Sequence, residues 1–202
     1  MADVTFFFEP VCPWTWRASR WLAAVAESRP LDIEWRPFSL LVLNNGPDEE
    51  HGDDLIVSHR ALRLVEHLHR AGRQPDIARF YSALGQLAHE EGFAFNDELM
   101  ESAVRAAGLG DDGAALDDSR LDAGVRASTQ AALTAAGPGV GSPVIVLYGG
   151  HPRTPGSAGA RRGLHGPVLK TVPDKREGTA LWEAIEALAP IDGFFEIKRG
   201  RN

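Results

Sequence analysis

A strand, a turn and a helix follow one another at the start of the chain, and this order most constrains the fold. The aromatic run Asp3 to Phe8 favours a β-strand, which Glu9-Pro10 ends. Apolar residues then recur at helical spacing from Pro13 to Ser28. Leu31 to Phe38 alternates between apolar and polar residues, as a half-buried strand does. The pattern predicts a βαβ unit whose parallel strands end at the same edge of a sheet.

Helical patterns fill the middle of the chain, and strand patterns return only near its end. Residues 54–135 predict three or four helices separated at glycines. The apolar run Val144 to Tyr148 suits a central strand, and a second short strand is expected near Gly163. Thr179 to Leu188 predicts a last amphipathic helix.

This order of elements is that of an α/β protein with a thioredoxin fold that is interrupted by helices. We expect an N-terminal βαβ part at residues 1–53 and a C-terminal ββα part at residues 137–202. Between them, residues 54–136 are expected to form a helical insertion that serves as a lid.

Two stretches near the C-terminus lie outside these patterns. Gly149 to Arg162 is rich in Gly, Pro and Arg, which predicts a mobile loop. Pro190 to Lys198 is a tail. We expect three of its apolar side chains to pack onto the body: Phe194, Phe195 and Ile197.

Charge and hydropathy exclude several classes of partner. The net charge of -7 argues against a broad basic surface for nucleic acid or for an anionic membrane. No apolar run approaches the length of a membrane span, and Val4 to Phe8 lacks the basic leader and cleavage site of a signal peptide. We therefore expect a cytoplasmic protein that binds neither nucleic acid nor membrane.

Cys12 is the only cysteine, which excludes an intramolecular disulfide and a cysteine-based zinc site. It can be a buried apolar residue, half of an intermolecular disulfide or a reactive nucleophile. A cysteine directly before a helix lies near unpaired backbone N–H groups and the positive end of the helix dipole. Such thiols titrate at roughly 3.5 to 7.5 instead of about 8.5. We therefore expect a nucleophile with a lowered pKa.

The segment from Phe8 to Trp16 resembles the active-site segment of DsbA-like thioredoxin-fold proteins, in particular the actinobacterial mycothiol-dependent nitroreductase family. That family usually carries Cys-Pro-Trp-Cys ahead of Ser-Arg-Trp, which appears here as Ser19-Arg20-Trp21. The resemblance spans nearly the whole chain, and the loop Gly141-Ser142-Pro143 is its other specific part. Further matches occur at Ser39-Leu40, Leu43-Asn44, Phe80-Tyr81, Gly85, His89, Gly166 to Leu169 and Phe194 to Arg199.

Thr15 departs from the family, because it stands where relatives have their second, resolving cysteine. A dithiol cycle, in which a neighbouring cysteine releases a mixed disulfide, therefore cannot operate. A monothiol cycle remains open, in which a small cellular thiol attacks the mixed disulfide of Cys12. Thr15 can also donate a hydrogen bond to the thiolate, as hydroxyl residues do in monothiol and transferase relatives.

The resemblance also implies which residues surround the sulfur. Pro143 corresponds to a proline held in cis opposite the cysteine, where the backbone of Ser142 pairs with a bound thiol. Asn44 corresponds to an asparagine that helps to hold the thiol, although an asparagine here can equally cap a turn. His89 corresponds to a histidine near the pocket that can orient substrate or take a proton, although a lone helical histidine is often a bystander. The expected thiol- or substrate-binding set is Pro13, Trp14, Asn44, His89, Ser142 and Pro143.

The other histidines and a glycine motif suggest no cofactor. His51 and His59 stand roughly where we expect aromatic residues in relatives, which would change the polarity of the pocket. His67 and His69 lie on different helix faces, so shared metal ligation is not expected. Gly137-x-Gly-x-Gly precedes a strand, whereas a dinucleotide fingerprint follows one. We predict no metal, flavin or nicotinamide.

Three functions compete at this point. The first is a thiol-dependent oxidoreductase acting through Cys12 and Thr15, with mycothiol or another low-molecular-weight thiol as cosubstrate and a small molecule or disulfide as substrate. The second is a thiol transferase or isomerase resembling kappa-class glutathione transferases and hydroxychromene carboxylate isomerases. The third is a non-catalytic thioredoxin-fold binding protein. The sequence leaves open the substrate and whether the chain forms a homodimer.

Overall fold

The computed structural model describes residues 2–47, 52–148 and 162–200, and their strands form one sheet. The strands are β1 (Val4–Phe8), β2 (Ile33–Pro37), β3 (Val144–Leu147) and β4 (Arg162–His165), in the order β2-β1-β3-β4. Strands β1 and β2 are parallel, and β3 is antiparallel to both β1 and β4. This is the sheet of a thioredoxin fold, so the predicted fold class is confirmed.

The helices of the described residues are α1 (Pro13–Ser28), α2 (Leu40–Leu43), α3 (Asp54–Arg70), α4 (Gln74–His89), α5 (Asp97–Ala106), α6 (Asp122–Ala136) and α7 (Lys175–Leu188). Two 3₁₀-helices, Gly110–Asp117 and Ser119–Leu121, join α5 to α6. Helices α3, α4 and α5 are followed by Gly72, Gly92 and Gly108, whose φ angles of 70°, 79° and 67° suit glycine. The middle of the chain is therefore helical, as predicted, while its limits as a separate insertion stay a prediction.

Side-chain caps explain two differences from the predicted elements. Helix α7 begins at Lys175 rather than Thr179, because the Asp174 carboxylate accepts the Glu177 N–H at 2.9 Å. The short helix α2 was not predicted, and it begins where the Ser39 hydroxyl accepts the Val42 N–H at 3.2 Å. The loop predicted at Gly149 to Arg162 lies outside the described residues, except that Arg162 begins β4.

The prediction that the C-terminal tail packs onto the body is wrong for Phe195 and Ile197, which are 92% and 79% exposed. Only Phe194 is half-buried, and its N–H bonds to the Ile191 C=O at 3.0 Å. Helix α7, which precedes the tail, packs instead on α1, with the ring centroids of Trp21 and Trp182 6.2 Å apart. The tail therefore ends in a local turn and extends into solvent.

The sheet and the helical middle share one core at the end where Cys12 lies. The ring of Phe8 in β1 stacks on Tyr81 of α4 with centroids 4.1 Å apart. Gly85 lets α4 approach Trp16, because a Cβ there would lie 2.2 Å from the indole ring. The turn between β1 and α1 is thus held against packed helices. None of the helices within the described residues combines the length and apolar character needed to cross a membrane.

Candidate active site

Cys12 is the N-cap of α1, in the turn that follows β1. Its backbone is extended, with φ −79° and ψ 113°, and Pro13 is the first helical residue. The Cys12 N–H bonds to the Glu9 C=O at 3.2 Å, which closes the turn. As the N-cap, it places its sulfur near the positive end of a helix of 16 residues. The residue is 8% exposed, so it lies close beneath the surface.

Ser142 and Thr15 are the polar neighbours of this sulfur. The Cys12 thiol contacts the Ser142 C=O at 3.9 Å, and the Ser142–Pro143 peptide bond is cis, the isomer that the resemblance implies. The hydroxyls of Thr15 and Ser142 are 2.8 Å apart, and the Ser142 hydroxyl also accepts the Glu9 N–H at 3.0 Å. Thr15 is wholly buried and Ser142 is 8% exposed, so this hydroxyl pair is largely shielded from solvent.

The Cys12 thiol does not have the lowered pKa that its position before a helix predicts. Burial raises the pKa of Cys12, and the buried carboxylate of Glu9 raises it further. Hydrogen bonds from the Thr15 hydroxyl and from the backbone N–H groups of Thr15 and Trp14 act in the opposite direction but do not prevail. The expectation of a lowered pKa is therefore wrong for this state of the protein, in which Cys12 is a protonated thiol near pH 7.

Glu9 is a buried carboxylate that the sequence analysis treated only as the end of a strand. It is wholly buried, and its oxygens accept the Ser58 hydroxyl and the Leu40 N–H, the latter at 2.6 Å. The Ser58 hydroxyl in turn accepts the Val11 N–H at 3.1 Å. These bonds tie the cysteine turn to α2 and α3. A carboxylate directly after an apolar strand was the signal that could have revealed this role.

His89, the last residue of α4, supports the same turn from the other side. Its Nε2–H donates to the Pro10 C=O at 2.8 Å, and its ring stacks on Trp16 with centroids 6.0 Å apart. Burial lowers the pKa of His89, so the neutral imidazole carries its proton on Nε2. The histidine is thus near the site, as expected, and its contact is with the backbone of the turn. A role in binding substrate stays a prediction.

Trp14 and Asn44 complete the set predicted from the sequence. Trp14 is half-buried on the first turn of α1, and the Arg17 guanidinium carbon lies 5.0 Å from its ring centroid. Asn44 is the exposed C-cap of α2, the helix whose first N–H is bound by Glu9. The Asn44 backbone N–H bonds to the Leu40 C=O at 2.9 Å and so ends α2. A cap of the next turn by the Asn44 side chain, and thiol binding by Asn44 and Trp14, stay predictions.

The other histidines lie in separate places. His59 is 5% exposed and bonds to the Ser39 hydroxyl at 2.9 Å and to Asp122 at 3.1 Å. His67 contacts Asp112 and His69 contacts Gln74, so the two do not share a site. His51 lies outside the described residues. Among the residues that the structure describes, no group of three or more His, Cys, Asp or Glu side chains could hold a metal ion.

These features define a thioredoxin-fold protein with one cysteine at a helix N-terminus, facing the residue before a cis-proline. Membership of a family is shown by sequence as well. Residues 11–199 match the Rv2466c-like family, described as mycothiol-dependent nitroreductase Rv2466c, and the chain belongs to this family. The general class of thiol-dependent oxidoreductase follows from that membership.

Individual relatives agree with this placement. Rv2286c, an uncharacterized protein of Mycobacterium tuberculosis, is 29% identical over 209 residues, which cover 100% of this chain and 84% of the relative. The cytosolic disulfide reductase DsbM of Pseudomonas aeruginosa has a TM-score of 0.55 and 17% identity, over 92% of this chain and 99% of that one. DsbA of the same organism has a TM-score of 0.51 and 14% identity, over 90% and 79%. A 2-hydroxychromene-2-carboxylate isomerase has a TM-score of 0.52 and 17% identity, over 71% and 84%. At these identities the structural likenesses establish the fold alone.

Proposed function

We propose that the protein is a monothiol oxidoreductase in which Cys12 forms a mixed disulfide, and that mycothiol or another low-molecular-weight thiol is the cosubstrate. The observation that carries this proposal is the position of the single sulfur. It lies at the N-terminus of α1, 3.9 Å from the Ser142 C=O and hydrogen-bonded by Thr15. The residues around it fit a thiol ligand, because backbone and hydroxyl groups on two sides can hold a second sulfur.

The hydroxyl pair explains how a thiolate is stabilised when it forms. The Ser142 hydroxyl accepts the Glu9 N–H, so its own proton is free to point to the Thr15 oxygen. The Thr15 proton then points to the sulfur of Cys12. This relay replaces the thiol of a resolving cysteine with two hydrogen bonds, which strengthen when the sulfur becomes an anion.

Thiol–disulfide exchange at Cys12 then needs no second cysteine. The Cys12 sulfur attacks one sulfur of a disulfide substrate, a new S–S bond forms, and the departing thiolate takes the proton that Cys12 lost. Cys12 leaves as a thiol in the second step, when a low-molecular-weight thiol takes over the disulfide. Each step exchanges one S–S bond for another, so no further oxidant or reductant is required.

The surroundings of Cys12 are assigned supporting roles in this proposal. Trp14, Asn44 and His89 shape the pocket, and the helices from α3 to α6 cover it. Because Tyr81 and Gly85 of α4 pack directly on the sheet and on α1, we expect this cover to move little. A cytoplasmic location and the absence of a flavin or nicotinamide are part of the same proposal.

The test is to expose the protein to mycothiol disulfide and to measure the intact mass. We expect one mixed-disulfide adduct per chain, located on Cys12 by peptide mapping and released by added thiol. Thr15→Ser is the matched variant that keeps the hydroxyl and should still form the adduct. A protein that stays unmodified at pH 7 to 9, while folded, would contradict the proposal.

A thiol transferase or isomerase is the second candidate, favoured by one observation. Burial keeps Cys12 protonated, and the buried hydroxyls of Thr15 and Ser142 can instead activate the sulfur of a bound thiol. In that case Cys12→Ser would retain most of the activity and Thr15→Val would lose it. An oxidoreductase shows the opposite order, and a binding protein shows no turnover with either.

A further inference from the structure

Arg17 is a half-buried cation on α1 beside the cysteine turn, and no role has been assigned to it so far. Its guanidinium carbon lies 5.0 Å from the ring centroid of Trp14. It forms no ion pair with any carboxylate of the described residues. Arg60 and Arg63 on α3, in contrast, each hold a carboxylate within 3.0 Å. In a chain with 28 acidic and 21 basic residues, a half-buried arginine without an anion suggests that its anion comes from outside.

The charge of Arg17 is directed toward the reactive end of the helix. Side chains on a helix lean toward its N-terminus, and residues three apart are neighbours, so the guanidinium lies back over Trp14. Its charge also helps burial to lower the pKa of His89, which bonds to Pro10 two residues before Cys12. The field of Arg17 therefore reaches His89, the side chain that holds the cysteine turn through Pro10.

The nearby carboxylates do not neutralise this charge. Glu9 is engaged by Ser58 and by the Leu40 N–H on the buried side of the turn. Glu90 is exposed to solvent beyond the end of α4. The face of α1 that carries Trp14 and Arg17 thus presents an aromatic surface with a fixed cation. A guanidinium stacked on an indole keeps its edge free to bind a carboxylate through two hydrogen bonds.

We propose that Arg17, stacked on Trp14, binds an anionic group of the disulfide or electrophilic substrate, so that Cys12 reacts preferentially with carboxylate-bearing molecules. This inference rests on the proposed function, since it names the substrate class of the same site. The anion belongs to the substrate that Cys12 attacks, and the thiol that regenerates Cys12 need not carry one.

The test compares two alkylating reagents that share the iodide leaving group and differ in charge, iodoacetate and iodoacetamide. Both react with the same Cys12 thiolate, so any change in thiol pKa cancels in the ratio of their rates. Arg17→Gln should lower the iodoacetate to iodoacetamide ratio by about two- to fivefold, the value of a partly exposed ion pair. Arg105→Gln, which removes the same charge from the exposed end of α5, should change the ratio by less than about 1.5-fold. Arg17→Lys should retain part of the preference.

The salt dependence of the same rate ratio is a second measurement, made on the unaltered protein. It tests the inference even if Arg17→Gln does not fold. The ratio should fall at least about twofold between low salt and 0.5 M salt, because the charge is screened. A ratio that is insensitive to both salt and Arg17→Gln, or one that falls equally in Arg105→Gln, overturns the inference. If the mixed disulfide still forms, the proposed function survives that result. If neither reagent modifies Cys12, both are overturned.

Discussion

Two buried polar clusters lie side by side in this protein, and only one of them offers a reactive atom. The Cys12 cluster comprises Glu9, Cys12, Thr15 and Ser142. The second cluster is named the His59 cluster after its central residue. The two clusters adjoin at α2, where Glu9 of the Cys12 cluster binds the N–H of Leu40, the residue that follows Ser39 of the His59 cluster. The members of the His59 cluster are Ser39, His59, Arg63 and Asp122.

The His59 cluster has the residue types of a nucleophilic triad but none of its accessibility. The Ser39 hydroxyl is wholly buried and bonds both to His59 and to the Val42 N–H. The other ring nitrogen of His59 bonds to Asp122, and Arg63 binds both oxygens of that carboxylate at 2.6 and 3.1 Å. Each of these polar side chains has hydrogen-bond partners within the protein, so the cluster fixes α2 and α3 instead of meeting a substrate.

The sulfur of the Cys12 cluster accepts hydrogen bonds from residues 14 and 15, but its own proton has only a distant acceptor. Thr15 and Ser142 are bonded to each other at 2.8 Å, whereas the closest acceptor of the thiol lies at 3.9 Å. The comparison indicates that a reactive site here requires an atom that is held in place and left with spare bonding capacity. Changes in the Cys12 cluster should therefore alter reactivity more than stability, and changes in the His59 cluster should do the reverse.

The largest effect should come from giving the Cys12 cluster a second thiol. Thr15→Cys creates Cys-Pro-Trp-Cys, and we expect an oxidised form that is 2 Da lighter, since two hydrogens are lost when an intramolecular disulfide forms. Release of a mixed disulfide should accelerate by about 100-fold or more, because the resolving thiol is already in place. Stopped-flow measurement of thiol release tests this. Thr15→Ser is the control, and equal release rates in the two variants would show that residue 15 does not face the mixed disulfide.

His59→Ala should mainly affect stability. It leaves the Ser39 hydroxyl and the Asp122 carboxylate without their shared partner, so the free energy of unfolding should fall by about 2 kcal/mol or more. Urea unfolding measures this loss. The rate of Cys12 alkylation by iodoacetamide should stay within about twofold of the starting protein. A large fall in that rate with unchanged stability would make the two clusters one functional unit.

Thr15→Val should have a smaller effect, and this effect should be on the reactivity of Cys12 instead of on stability. The substitution keeps the shape of the buried side chain and removes the hydroxyl that bonds to Ser142 and to the sulfur. The pKa of Cys12 should rise further, and alkylation at pH 7 should slow by about tenfold, the value of one hydrogen bond to a charged group. The pH dependence of the iodoacetamide rate provides the measurement. Thr15→Ser should restore most of the rate, and a Val variant that reacts as fast as Ser would remove Thr15 from the mechanism.

The sequence predicted what depends on local pattern. A β-favouring aromatic run placed β1, hydrophobic periodicity placed α1 and β2, and glycines marked the ends of three helices, because these signals act over a few residues. The candidate site was predicted for the same reason, since Cys12 precedes a helix and the match of Ser142 and Pro143 to a known loop is local. The fold and the outline of the site were therefore accessible without coordinates.

The sequence could not supply what depends on distant partners. Glu9 is bound by residues 31 and 49 positions away, so its position after an apolar strand gives a local signal for burial but none for the partners that bind it. The pKa of Cys12 was predicted from its helix position alone, whereas the depth of burial, which prevails, is set by the whole fold. The tail was expected to pack because Phe195 and Ile197 are apolar, but packing needs an uncovered surface on the body, which the sequence does not show.

The smallest predicted effect is a pH dependence that again separates the clusters. Burial lowers the pKa of His59 below the usual histidine value of about 6.5, so the folded state favours the neutral ring. The resulting stability is fully present above that value and is lost as the pH falls through the folded-state pKa. Between pH 7.5 and 5.5 the free energy of unfolding should therefore decrease, by about 1 kcal/mol, and His59→Gln should decrease less because its amide does not titrate. Burial also lowers the pKa values of His69 and His89, so these histidines act in the same window, and the contribution of His59 is the difference between the starting protein and His59→Gln. The lowered pKa values of Asp112 and Asp122 act only below about pH 4, so they do not contribute in this window. If the free energy of unfolding of His59→Gln decreases as much as that of the starting protein over this range, the titrating group lies elsewhere. The stability of the His59 cluster then does not depend on a neutral imidazole between Ser39 and Asp122.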